Sequence, residues 1–260
     1  MAKSEQGLHR PQTVVDMTMV KAACRGCSLR QLCLPFGVSL EDLQRLDTIV
    51  KRSRALPRGK HVFRLGDRFR AVYAVRSGSV KTYTVTETGG EQVTGFHLPG
   101  ELIGFDALAT GSHPCSAKTL ETSSMCELPF DQLEELTAQA PTLRHQLLRL
   151  MSREILSEGE LLTLLGKRSA EERLAAFLFS LSARFKLRGF AASEFRLSMS
   201  RNDIADYLGL AVETVSRLFT RFQQQDIVAV QNKDVHILDA YRLRERAGIG
   251  DNNHIPSIRA

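Results

Sequence analysis

The chain has 260 residues, 43% of them hydrophobic and 25% charged, with 18 Gly, 8 Pro and a formal net charge of +6. At roughly 100–200 residues per domain this is one large domain or two ordinary ones, and the composition excludes collagen-like, low-complexity and fully disordered chains. No apolar run approaches the roughly 18–20 residues of a spanning helix. The first twenty residues hold Glu5, Arg10, Pro11 and Asp16 instead of a signal-peptide core, so a cytoplasmic location without membrane attachment is expected. The positive excess suggests a polyanionic partner.

Residues 1–20 lack periodicity and read as a flexible arm. Cys24, Cys27 and Cys33 follow, with Lys21, Arg25 and Arg30 close enough in sequence to favour thiolates. An odd, clustered set of cysteines in a reducing compartment argues for a metal or redox centre instead of disulfides. Three thiolates leave a tetrahedral ion or a cubane cluster one ligand short. Cys115 and Cys126 are the candidates; Cys126 falls in the last predicted strand, which would hold it more rigidly than a loop. The spacing leaves iron–sulfur and zinc both open.

Leu40, Leu43, Leu46 and Ile49 predict an amphipathic helix over Ser39–Val50. From Pro57 to Phe130 short alternating runs recur between glycine turns: His61–Leu65, Ala71–Val75, Ser79–Val85, Gln92–Leu98, Ser116–Glu121 and Met125–Pro129. Thr88-Gly89-Gly90-Glu91 is a hairpin signal, and the whole stretch predicts a sandwich or roll. Helical texture returns over Asp131–Ala138, over Pro141–Leu165, and, after an interruption at Gly166-Lys167-Arg168, over Ala170–Phe185. Within the long helix Leu148, Met151, Ile155, Glu158, Leu162 and Leu165 fall on one heptad seam, the pattern of a two-stranded coiled coil. In a parallel homodimer two Glu158 side chains at ~7 Å and an effective dielectric of ~20 repel by roughly 2 kcal/mol. The seam therefore reads as a deliberately weakened interface, ready to be tipped from elsewhere in the molecule.

Ser200–Phe222 is the most informative segment. Ser200 and Asp203 form a capping pair, Ala205 is small, Gly209 ends the first helix, and Val215, Leu218, Phe219 and Phe222 face inward from the second. That is the pattern of a DNA-binding helix-turn-helix. Glu213, Ser216, Arg217 and Thr220 lie on the opposite face: Arg217 suits guanine O6 and N7, Glu213 suits cytosine N4, and Ser216 suits a base or methyl group. Ile227–Val230 and Val235–Leu238 then predict a wing hairpin with Lys233 at its tip, placed for a phosphate. Residues 249–260 have no period and are expected to fray.

Over roughly residues 20–247 the chain resembles the fumarate and nitrate reduction regulator branch of the cyclic-AMP receptor protein superfamily. The resemblance is carried by Cys24-x2-Cys27-x5-Cys33-x-Pro35-Phe36, Ile103-Gly104-Phe105-Asp106 and Leu120-Glu121-Thr122 up to Cys126-Glu127. It continues through Ala170–Phe177, Tyr207-Leu208-Gly209-Leu210 and Val212–Arg217. It implies a [4Fe-4S] cluster on Cys24, Cys27, Cys33 and Cys126, one per subunit, which oxygen converts to a [2Fe-2S] form so that the dimer weakens and DNA is released. It also implies recognition of an inverted repeat with TTGAT-type half-sites by Glu213, Ser216 and Arg217. Glu158 falls where the family carries an acidic residue in its dimerisation helix. The hairpin around Glu87, Gly89, Gly90 and Glu91 looks like the surface by which relatives touch RNA polymerase, and Cys115 has no counterpart in the family pattern. Nucleotide-binding relatives place an arginine and a small hydroxyl residue where this chain has Pro114-Cys115-Ser116-Ala117, so no cyclic nucleotide is expected.

The expected fold is α+β: an N-terminal β-roll (jelly-roll) sensor, a long dimerisation helix and a C-terminal winged helix-turn-helix. The expected divisions are 1–20 (arm), 21–138 (cysteine loop and roll), 139–168 (dimerisation helix), 169–247 (winged helix-turn-helix) and 248–260 (tail). The expected function is oxygen-responsive transcription regulation as a homodimer on double-stranded DNA. A zinc-cysteine or nitric-oxide-responsive regulator of the same fold is the alternative. An enzyme is not expected, because no Gly-rich phosphate loop, nucleophile elbow or metalloprotease helix accompanies the cysteines.

Overall fold

The computed structural model describes residues 24–87 and 89–249; the expected arm (1–20), Lys21, Thr88 in the hairpin turn and all but the first two residues of the expected tail (248–260) lie outside them. After the cysteine loop, helix α1 (Leu40–Ile49) is capped by the Ser39 hydroxyl, which accepts from the Asp42 N–H. Eight strands follow: β1 (Lys51–Arg52), β2 (His61–Phe63), β3 (Ala71–Ser77), β4 (Val80–Val85), β5 (Glu91–His97), β6 (Leu102–Ile103), β7 (Ser116–Thr119) and β8 (Ser124–Pro129). They pair antiparallel in two four-stranded sheets, ordered β1-β8-β3-β6 and β2-β7-β4-β5. Phe63, Val75, Val80, Ala117 and Met125 from both sheets share one core, so the sheets close face to face as a roll.

Strand β3 is buried over most of its length because both of its faces are covered. Tyr73 and Val75 point into the roll. Val72 and Ala74 point the other way, into a second core built with Leu34, Val38, Leu43 and Leu46, with Leu133 of α2 (Phe130–Gln139) and with Leu143 of α3 (Pro141–Lys167). Cys24, Cys33 and Cys126 pack against that second core. The cysteine loop and the first turns of the long helix therefore share one hydrophobic unit.

The long helix runs through Gly166 and Lys167, further than the sequence predicts. The break falls at Arg168-Ser169, where Ser169 and Glu172 form a capping box that starts α4 (Ala170–Leu187). The C-terminal part adds β9 (Glu194–Arg196), α5 (Arg201–Leu208), α6 (Val212–Gln224), β10 (Val228–Gln231), β11 (Asp234–Ile237) and α7 (Ala240–Arg246). The expected wing is a three-stranded sheet, β10-β11-β9, with Phe195 of the unforeseen β9 opposite Val235. Its core is continuous with the roll: Tyr83, Val93, Phe96 and Leu98 join Leu174, Phe177, Tyr207 and Leu208 in one cluster. No helix among the described residues is long and apolar enough to cross a membrane.

Candidate metal centre and nucleic-acid interface

Cys24 opens a single 3-10 turn, and successive backbone bonds, Cys27 N–H to Cys24 O (3.2 Å), Arg30 N–H to Cys27 O (3.1 Å) and Cys33 N–H to Leu29 O (3.1 Å), coil the loop. The Cys24 N–H donates to the Asp47 carboxylate of α1, which anchors the loop's start. Cys126 lies in β8 with Arg52 of β1 opposite it on one side and Ala74 of β3 on the other. Residues directly opposite in an antiparallel pair share a face. The small Ala74 thus leaves room beside Cys126, on the side where the three loop cysteines lie.

All four cysteines line one cavity of about 40 Å³, walled also by Leu34, Ala74, Leu128 and Arg76. The cysteines are unbridged. Burial pushes the Cys33 thiol up to about 12. It raises Cys24 further, helped by the Asp47 carboxylate and by Cys33 and Cys126. Burial also raises Cys126, but Arg76 opposes it, by charge and by a hydrogen bond, and so does Arg52. Thiols placed this way keep their protons until a bound cation displaces them. As they stand, no three or more His, Cys, Asp or Glu side chains among the described residues are gathered tightly enough to hold a metal ion. Cys115 is elsewhere: it is buried before β7 and donates to Asp106 at 3.2 Å. Arg76 and Asp47 were missed from sequence, because both reach the site only through sheet register and helix docking.

The helix-turn-helix has the local chemistry its sequence predicts. Ser200 and Asp203 close a capping box, and Gly209 takes a left-handed φ of 61°. Val215, Leu218, Phe219 and Phe222 are buried, whereas Glu213, Ser216, Arg217 and Thr220 are exposed. The Arg201 guanidinium lies 3.3 Å from the Phe219 ring centroid and pins α5 to α6. In the free protein the Ser216 and Thr220 hydroxyls donate back to Val212 O and Ser216 O at 2.9 and 3.2 Å. Lys233 is not extended from the wing tip: its ammonium donates to Ser198 O at 3.0 Å.

On α3, Leu148, Ile155 and Leu162 are 57%, 70% and 72% exposed. Glu158 is exposed between them, and Met151 and Leu165 are partly covered. The seam is thus an apolar stripe whose central members Leu148, Ile155 and Leu162 are largely uncovered among the described residues. At the β4–β5 hairpin, Glu87, Gly89 and Gly90 lie in or beside the turn, but Glu91 is engaged. It pairs at 2.5 Å with the buried Lys81 ammonium, which also reaches Asp203 of α5 at 2.7 Å. A second cavity of about 190 Å³, between the roll and α3, is bordered by Asp106, Glu154 and Glu158 and, among the described residues, by no lysine or arginine.

Residues 172–246 match the Crp-like helix-turn-helix domain family, and residues 53–140 match the cyclic nucleotide-binding domain family. The chain is 57% identical to the transcriptional activator protein Anr of Pseudomonas protegens, over 88% of this chain and 93% of that one. It is 50% identical to the fumarate and nitrate reduction regulatory protein of Vibrio cholerae, over 87% of this chain and 90% of that one. Among solved structures, FixK2 from Bradyrhizobium japonicum superposes with a TM-score of 0.70 at 27% identity, covering 76% of this chain and 96% of that one.

Proposed function

The chain belongs to the Anr/FNR regulators of the CRP family, and from that premise we propose that it senses oxygen through a [4Fe-4S] cluster on Cys24, Cys27, Cys33 and Cys126. It is a DNA-binding transcription regulator and not an enzyme. The observation that carries the proposal is the convergence of four unbridged cysteines, three from a loop and one from a strand, on a single apolar cavity. The all-cysteine donor set, four thiols from a loop and a strand, suits an iron–sulfur centre. When bound, such a cluster would supply a centre that oxygen can oxidise.

This chain's own residues carry the rest. The loop and α1 pack on the first turns of α3 through Leu34, Leu43, Leu46 and Leu143, so ordering the loop orders that end of the helix. The seam, with Leu148, Ile155 and Leu162 exposed and Met151 and Leu165 partly covered, is then available to a second copy, against the repulsion of paired Glu158 carboxylates. Pairing sets two α6 helices to reach successive major grooves about 34 Å apart, where Glu213, Ser216, Arg217 and Thr220 read an inverted repeat with TTGAT-type half-sites and Lys233 approaches a phosphate. Glu87, Gly89 and Gly90 offer a contact for RNA polymerase; Glu91 serves that surface from within its ion pair.

The test is purification without air, followed by iron and sulfide analysis and absorbance before and after oxygen. The parent and its Cys115→Ser variant should be brown and bleach on exposure. Serine at 24, 27, 33 or 126 should abolish the chromophore. Colourless, zinc-loaded protein would overturn the proposal.

A further inference from the structure

The turn Pro99-Gly100-Glu101, between β5 and β6, joins two distant parts of the chain. Gly100 has φ +94°, and a Cβ there would lie 2.8 Å from Leu32 Cβ, so the cysteine loop sits directly against this turn. The neighbouring Glu101 carboxylate receives Nε and Nη2 of Arg184 at 3.1 and 2.7 Å and Nη2 of Arg188 at 2.6 Å. Arg184 also donates to Phe96 O (2.7 Å), and Arg188 to Pro99 O (2.8 Å). The two arginine side chains are 4% and 3% exposed, and Glu101 is 14% exposed. Burial alone would raise the Glu101 carboxyl, but the two guanidiniums hold it below its usual range.

Buried charges of this kind are costly to desolvate, and their best-attested use is to fix one arrangement among several. Here the fixed arrangement is that of α4 on the roll, and α5 and α6 both pack against α4. On either side of the Leu32–Gly100 contact the surface opens into clefts of about 390 and 360 Å³, both bordered by Leu32 and Arg188. The loop therefore bears on this region through a narrow contact with space around it.

We propose that Glu101 is a positioning residue for DNA binding, tying the pose of α4 and its recognition helix to the state of the cysteine loop through the Leu32–Gly100 contact. The input rests on the cluster reading above; the output does not. The α3 seam decides whether two copies meet, whereas Glu101 decides the angle at which each presents α6. A fixed angle makes binding strict about half-site separation.

The test uses the full-length chain, prepared without air, on operators whose half-sites are moved apart or together by one and two base pairs. Binding is compared at equal dimer fraction, with iron content and thermal midpoint measured on each preparation. The parent should favour one spacing by about tenfold or more. Glu101→Gln, which keeps the shape and removes the charge, should reduce that preference to about threefold or less with iron and dimer fraction unchanged. Leu32→Ala, which leaves the ion pairs intact, should make the preference insensitive to air. Unaltered spacing preference in Glu101→Gln overturns the proposal. So does an equal loss in a variant of matched thermal midpoint such as Phe195→Leu, which leaves the ion pairs in place. Iron-free parent protein would instead sink the cluster reading, leaving the Glu101 comparison standing by itself.

Discussion

The Thr142 hydroxyl, at the second residue of α3, donates to the Asp42 carboxylate of α1 at 2.6 Å, and the Ser39 N–H donates to the same hydroxyl at 3.2 Å. Asp42 is 7% exposed, so this bond is the polar pin between the helix that follows the cysteine loop and the helix that carries the seam. Thr142→Val should leave a buried carboxylate short of a donor and destabilise the fold by roughly 1–3 kcal/mol. Urea unfolding measures that cost. Sedimentation should also show weaker coupling between cluster content and association.

Glu158→Ala removes the like-charge pair from the seam while keeping helix propensity. The roughly 2 kcal/mol of relief corresponds to about a 30-fold tighter dimer in the absence of any cofactor. Analytical ultracentrifugation of aerobically purified protein reads this directly. A monomer–dimer equilibrium equal to the parent's would defeat the repulsion argument.

Arg217 is exposed on α6, makes no ion pair among the described residues, and is matched in reach to a guanine edge. Arg217→Ala should lose roughly 1–3 kcal/mol at one base pair and relax specificity there. Competition between the operator and single-base variants distinguishes this from a uniform loss, which would mark a phosphate contact.

His113 is 2% exposed, stacked on Phe63 with ring centroids 3.7 Å apart, and its Nδ1 has no hydrogen-bond partner among the described residues. Burial holds its pKa below the ordinary 6.5, against partial opposition from Asp106 and Asp67. The unfolded chain therefore takes up this proton first as pH falls. The stabilisation is complete above about 6.5 and is lost as pH drops toward the lowered folded value. Urea midpoints between pH 7 and 5 should fall less steeply in His113→Phe than in the parent; parallel slopes would remove His113 from the account.

The roll was legible because alternation and glycine turns recur along β2 to β5, β7 and β8, and the helix-turn-helix because Ser200, Asp203, Ala205 and Gly209 each carry local chemistry. The strands that escaped are β1, β6 and β9, with two or three residues each, too few to establish a period. Three members of the cysteine site are adjacent in the chain and could be read directly. The choice between Cys115 and Cys126 could not be made from sequence chemistry alone, because it depends on the register that sets Cys126 between Arg52 and Ala74. The Glu101–Arg184–Arg188 and Lys81–Asp203 contacts span more than eighty residues of sequence and leave no local trace. Gly166 misled for a different reason: a single glycine costs a helix only about 1 kcal/mol, and the capping box at Ser169 set the boundary instead.

Phe96, Phe177 and Tyr207 touch one another with ring centroids 5.0–5.9 Å apart, one ring from the roll and two from the C-terminal helices. Roll and C-terminal helices thus share an aromatic seam, and cutting the chain between them would strand oily surface on both fragments. Heating should melt the two as one, in a single calorimetric peak, and neither fragment should stay dissolved when expressed without the other.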